Sequence, residues 1–292
     1  MVIFGKIRFV KIAPLVISLL FITMQPAVGQ VNETTELLQW DRSKDKVNTR
    51  FQPPLGYTWV KPASGSFAEY LVNFPLYPPG FPVRDFRAVP IENQAKHIAV
   101  LKIDVGNYDL QQCADAWMRL YAEYLWSKKR ADEVGFQFTS GQYYSWTDYK
   151  KGIRTVQHNK SVQFAETGEF KEDYLAFRDY LNIIFRYAGT ISLDQESFQI
   201  SNIEDVQPGD FLIKPGSPGH SVIVVGVARN PQGKRLFLLA ESYMPAQDVH
   251  ILINPNNREI SPWYELDLNA KETKTAKYTF KPTVMKRFHA LK

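Results

Sequence analysis

Two side chains in this sequence have the chemistry of a nucleophile and a base. Cys113 is the only cysteine, and His220 opens the run HSVIVVG after the turn-rich stretch VQPGDFLIKPGSPG. A thiol needs an imidazole to take its proton, and the imidazole needs a polar group to orient it. A helix N-terminus lowers a thiol pKa and offers backbone N–H groups to an oxyanion. Cys113 stands near the start of a segment with helical periodicity, so the pattern admits hydrolysis of an amide by a cysteine nucleophile. The bland alternative is that Cys113 is a small buried hydrophobe, as free cysteines commonly are.

Those two residues need a helix and a strand to carry them. Cys113, Ala116, Trp117, Leu120, Tyr121, Tyr124 and Leu125 follow i, i+3, i+4, i+7 spacing and predict one apolar helical stripe. Asp109 is the expected N-cap with Gln112 three residues on, and residues 128–130 put basic charge at the far end. Arg119 and Glu123 read as a simple i, i+4 pair. Residues 211–214 predict a short strand, residues 215–219 a tight reversal, and residues 220–228 a buried central strand. NPQG at 230–233 is a hairpin turn, with RLFLLAESY returning beside it.

The group facing His220 depends on the register of that hairpin. A four-residue turn pairing Asn230 with Gly233 puts Glu241 on the His220 face, opposite Val222. A type I turn with a glycine bulge pairs Asn230 with Lys234 and puts Ser242 there. NPQG-Lys favours the bulged form locally, and a carboxylate is the better orienter chemically. The candidate catalytic set is therefore Cys113, His220 and Glu241, or Ser242. The oxyanion donors would be the Cys113 N–H with Gln112 or Tyr108.

The rest of the chain is organised around these elements. Lys6, Arg8 and Lys11 precede an apolar run at residues 12–24, and small residues follow at 27–29. This predicts a signal peptide over residues 1–29 and an exported, periplasmic or extracellular protein. With those three basic residues gone, 32 Lys and Arg face 30 Asp and Glu, a net of +2. That is no nucleic-acid footprint, and no membrane attachment is expected after cleavage. Residues 30–52 predict a flexible lead-in, and residues 53–292 one α+β domain with an irregular Pro- and aromatic-rich N-terminal arm. Residues 97–106 predict a strand and residues 173–188 a second helix, with Leu175, Phe177, Tyr180, Leu181, Ile184 and Phe185 as its stripe. Trp146, Tyr143 and Tyr144, in an aromatic hairpin, are either core or a glycan-stacking platform. One cysteine and five histidines lack any paired ligand spacing, so neither a metal site nor a cofactor is expected.

The stretch GDFLIKPGSPGHSVIVVG resembles the strand-loop-His-strand signature of NlpC-type cell-wall peptidases and CHAP amidases. That resemblance implies a papain-like arrangement, a nucleophile helix packed on a small antiparallel sheet, with Cys113 as nucleophile and His220 as base. It points to peptidoglycan or glycan fragments as partners. Gln112-Cys113-Ala114-Asp115 stands where those enzymes carry Asp-Cys-Ser-Gly. Over residues 83–264 the chain more strongly resembles a family of secreted bacterial proteins known as a domain of unknown function. The pieces that carry this are CADAWMRLYAEYL, FTSGQYYSW, YAGTISL, GSPGHSVIVV, ESYMPAQ and SPWY. The readings left by sequence are a cysteine amidase or peptidase and a non-catalytic cell-wall or glycan-binding protein.

Overall fold

The computed structural model describes residues 40–159 and 161–292. The expected signal peptide and the first part of the lead-in lie outside the described residues. Among the described residues no helix is long and apolar enough to cross a membrane.

The chain is α+β, with six α-helices among the described residues and one large antiparallel sheet. The sheet strands are β1 (Thr58–Trp59), β2 (His97–Val100), β3 (Ser197–Gln199), β4 (Phe211–Lys214), β5 (His220–Arg229), β6 (Arg235–Glu241), β7 (His250–Leu252), β8 (Trp263–Tyr264) and β9 (Met285–Phe288). Their spatial order is β2-β7-β6-β5-β4-β9-β3, with β1 also pairing β5 and β8 also pairing β6. The expected strand at 97–106 is shorter than predicted, because Leu101 leaves the ladder to bridge Leu76.

Helix α1 (Cys113–Ser127) buries the whole predicted stripe. It packs on the sheet through Trp117, whose ring meets Phe211 and Phe288 and whose Nε1–H donates to Gly209 O at 2.7 Å. Helix α2 (Trp146–Lys150) opens on a Ser145–Asp148 capping box, and helix α3 (Tyr174–Tyr187) on the Asp173 cap. On α3 the predicted stripe is buried except Leu175, which is exposed in the first turn. Residues 40–52 correct the lead-in expectation. Val47 and Phe51 are fully buried, and Arg50 Nη1 donates to Tyr77 O at 2.8 Å. A segment dominated by polar residues is anchored by two apolar side chains and one arginine.

Two apolar layers flank the sheet. On the α1 side lie Ile223, Val225, Leu236, Leu238 and Ala240. On the other lie Val222, Val224, Val227, Phe237 and Leu239, with Phe280 and Met285 from the C-terminal segment. Along β5 the alternation changes parity between Val224 and Val227. The pairing shows why: Leu238 faces Gly226 but Leu239 faces Val224, so Val225 is an extra residue. This bulge decides which side chain reaches His220.

Candidate active site

The 230–234 turn takes the bulged form that its sequence favours. Asn230 N donates to Lys234 O at 3.0 Å, and Gly233 has φ +85°, the left-handed region. By itself that register puts Ser242 on the His220 face. The Val225 bulge shifts it back by one residue, so Ala240 faces Ile223 and Glu241 follows on the His220 side. His220 Nε2–H donates to Glu241 Oε2 at 2.9 Å, with both groups buried. Ser242 is turned elsewhere. Its hydroxyl donates to Gln247 O at 2.7 Å, with Gln111 O at 3.3 Å, and ties two loops together.

Burial alone would raise the Glu241 carboxyl. The hydrogen bond from His220 and the neighbouring imidazoles outweigh it and hold the group at about 2. Because Nε2 is engaged by the carboxylate, Nδ1 is the ring nitrogen open to a thiol. The ring itself is wedged between Tyr243 and Tyr278, with centroids at 4.9 and 4.6 Å, and against Phe280.

Cys113 is the first residue of α1, so its N–H belongs to the first turn, which lacks helical acceptors. The expected Asp109 cap is corrected. Gln112 is the N-cap, and its N–H donates to Asp115 Oδ2 at 3.1 Å. Asp109 Oδ1 instead accepts from Gln112 Nε2 at 3.1 Å and from Ala246 N at 2.7 Å. The Gln112 backbone N–H is thus engaged, while its side-chain amide spends one of two N–H groups on Asp109 and keeps one on a residue that lines the cavity at Cys113. Tyr108 is exposed and is not among the residues lining the cavity at Cys113. The Cys113 N–H and one Gln112 Nε2–H are left from the expected donor set.

β6 ends at Glu241, where the chain peels away from β5. Alternation along β5 aims the Ser221 N–H at the place the next β6 residue would occupy. The Cys113 sulfur stands against that N–H and the Ala114 N–H, both of which favour the thiolate. Burial is the larger effect, and with the Asp115 and Glu241 charges it pushes the thiol up to about 12. The resting sulfur is thus a thiol, set against the backbone of the residue that follows His220. Cys113 also lines a cavity of about 470 Å³ with Asp115, Thr190, Pro218 and Met244.

The loop before the cysteine is anchored more firmly than an i, i+4 pair implies. Arg119 is buried, bonds Glu123 Oε1 at 2.7 Å, and also reaches Gln111 Oε1 at 2.9 Å and Asp104 Oδ2 at 3.0 Å. The aromatic platform is corrected. Trp146 and Tyr144 are fully buried, Trp146 against Phe177 and Tyr180, and Tyr144 donating to Ile153 O. Neither has a free face for a sugar, and only Tyr143 is exposed.

Sequence reasoning missed the C-terminal hairpin Thr273–Lys274/Thr279–Phe280, whose Tyr278 and Phe280 cover His220. His250, outside the expected catalytic set, lies directly across from Glu241 in the β6–β7 register. The apolar run around His250 is a strand signal that would have placed it beside β6. Among the described residues no group of three or more His, Cys, Asp or Glu could hold a metal ion.

The chain belongs to the family described as Domain of unknown function (4846), whose model matches residues 47–287. No curated protein and no solved structure matches it.

Proposed function

We propose that this protein is an exported cysteine hydrolase that cleaves an amide, with cell-wall peptides as the first substrate class to test. The observation that carries the reading is the buried 2.9 Å bond from His220 Nε2 to Glu241. It fixes the imidazole through Nε2 and leaves Nδ1 as the nitrogen a thiol would use, and the thiol at the helix start lies against Ser221, the residue after His220.

The chemistry follows from these atoms. Cys113 Sγ attacks the carbonyl carbon while its proton passes to His220 Nδ1. The oxyanion gathers at the Cys113 N–H on the first turn of α1. Collapse breaks the C–N bond, and His220 returns the proton to the leaving amine. Water, deprotonated by the same nitrogen, then attacks the thioester and releases the acid and the thiol. The raised thiol fits general-base activation during attack rather than a standing ion pair. Glu241 stays ionised throughout and steadies the imidazolium.

The test is alkylation of Cys113 by iodoacetamide across pH, in wild type and His220→Ala. We expect the loss of His220 to slow the reaction at pH 7 about tenfold or more. A thiol that reacts only on unfolding, at equal rates in both proteins, would sink the reading.

A further inference from the structure

We propose that Lys277 is a positioning residue for the Cys113–His220 pair, its ammonium closing on Glu241 Oε1 and His250 Nε2 to fix the carboxylate that orients His220. The proposal rests on the cysteine-hydrolase reading of the same site.

The argument begins with tautomers. His250 Nδ1 lies 2.8 Å from Asp248 O, a carbonyl that can only accept, so the ring proton is on Nδ1. In the neutral ring Nε2 is then an acceptor. It faces Glu241 Oε1, another acceptor, at 3.7 Å, and neither atom has a hydrogen-bond partner. Two buried acceptors cannot satisfy each other, and each one left unpaired costs about 1–3 kcal/mol.

A donor stands next to them. Lys277 Nζ is 3.9 Å from Glu241 Oε1 and donates one proton to Gln247 Oε1 at 3.2 Å. Its ammonium has three N–H groups, so two remain for the two acceptors. An inward movement of about 1 Å brings Nζ to hydrogen-bond distance of Oε1. Burial lowers the Lys277 pKa, and the Glu241 charge opposes that. Burial lowers the His250 pKa, with the Lys277 charge adding to it, and the Glu241 carboxylate opposes both.

The other charged and titratable groups around this cluster are His220 on β5, His97 on β2, Cys113 on α1, Tyr243 just after β6 and Tyr264 in β8. Beside them Lys277 is a lysine cation in reach of Glu241 Oε1. It comes from the same hairpin whose Tyr278 and Phe280 pack on the His220 ring, so the covering segment also supplies the donor.

The experiment compares full-length wild type, Lys277→Met and Lys277→Arg, each checked for folding by circular dichroism. Two readouts are taken: the pH profile of Cys113 alkylation, and the ¹⁵N resonance of His250 Nε2. Lys277→Met is expected to slow alkylation at pH 7 at least fivefold, displace the profile and move the Nε2 resonance. Lys277→Arg is expected to recover at least half of the rate. A folded Lys277→Met protein with the wild-type profile, or with an unmoved Nε2 resonance, would overturn the proposal. If His220→Ala alkylates as wild type does, the nucleophile reading is what has failed. The His250 resonance alone then decides whether Lys277 bridges the two acceptors.

Discussion

Glu241 and Ser242 are neighbours in sequence, and their environments assign them opposite roles. The carboxylate accepts from His220, while the hydroxyl bridges Gln247 and Gln111. Glu241→Gln keeps the volume but removes the charge that steadies an imidazolium. We expect it to slow Cys113 alkylation at pH 7 by about 10-fold to 100-fold, whereas Ser242→Ala leaves that rate within about twofold of wild type. Equal losses in the two variants would show that the orienter is misassigned. The same carboxylate sets an acid limit. Its folded value of about 2 lies below the unfolded value of roughly 4.3. Its contribution to stability is therefore present above that unfolded value and is lost only as pH falls through about 2.

At the scale of elements, the first turn of α1 carries a pH dependence of the opposite sign. Asp115 reaches back to the Gln112 N–H with Oδ2, while its Oδ1 is buried without a partner. Burial pushes this carboxyl up to about 8. A folded value raised above the unfolded one of roughly 3.9 gives stability that is complete below the unfolded pKa and lost as pH rises through about 8. Burial raises Glu196 to about 7 and Asp248 to about 6, in the same direction. Asp115→Asn keeps an oxygen for the Gln112 N–H and cannot ionise. It should stabilise the protein on the order of 2 kcal/mol at pH 8 and leave it nearly unchanged at pH 4. Thermal denaturation at the two pH values checks this. The variant should also alkylate faster at high pH, since the Asp115 charge helps to raise the thiol.

The loop that delivers His220 has its own requirement. A Cβ on Gly219 would lie 2.1 Å from Thr190 Oγ1 and 2.7 Å from Gly216 O. Thr190 Oγ1 in turn holds the loop through Gly216 O at 3.1 Å. Gly219→Ala must displace the Thr190 side chain and the loop backbone at Gly216. We expect a loss of about 1–3 kcal/mol and a slower Cys113 reaction, measured by urea denaturation and alkylation together. Full stability with full reactivity would mean that the loop does not hold the histidine.

These elements also show what the sequence could carry. Periodicity predicts α1 and its buried stripe because a 3.6-residue repeat is local. Strands β4, β5 and β6 were legible from Gly and Pro punctuation around apolar runs. The helix start was not, because three groups compete for first-turn donors and Asp115 wins over Asp109. The orienter needed two local events, the bulged turn at 230–234 and the extra Val225. Only the first has a turn signature. The buried fate of Trp146 and Tyr144 was not readable either, because an aromatic hairpin has the same composition whether α3 covers it or solvent does.

Over the whole molecule, the C-terminal segment completes the sheet. β9 inserts between β4 and β3 and brings Arg287 onto Asp210. The contact is bidentate, Nε to Oδ1 at 2.7 Å and Nη2 to Oδ2 at 2.9 Å, and Asp210 is fully buried. Asp210 also closes its own turn, with Oδ2 accepting from Gln207 N at 2.8 Å. A separation of 77 residues hides the arginine from any reading of the QPGD turn alone. Burial raises the Asp210 carboxyl, and Arg287 opposes that. Arg287→Ala leaves a buried carboxylate without its cation, a loss of about 3 kcal/mol, or roughly 6–12 °C in Tm for a chain of this size. Asp210→Ala removes the same pair from the other side and also frees the Gln207 N–H. The double variant should therefore be less destabilised than the two single losses added together, since the pair can be broken only once. The strand carrying Arg287 follows directly on the hairpin that covers His220. Arg287→Ala is accordingly expected to raise hydrogen exchange in residues 273–288 before the helical layer responds. Uniform exchange across both layers would show that the C-terminal segment unfolds only with the molecule as a whole.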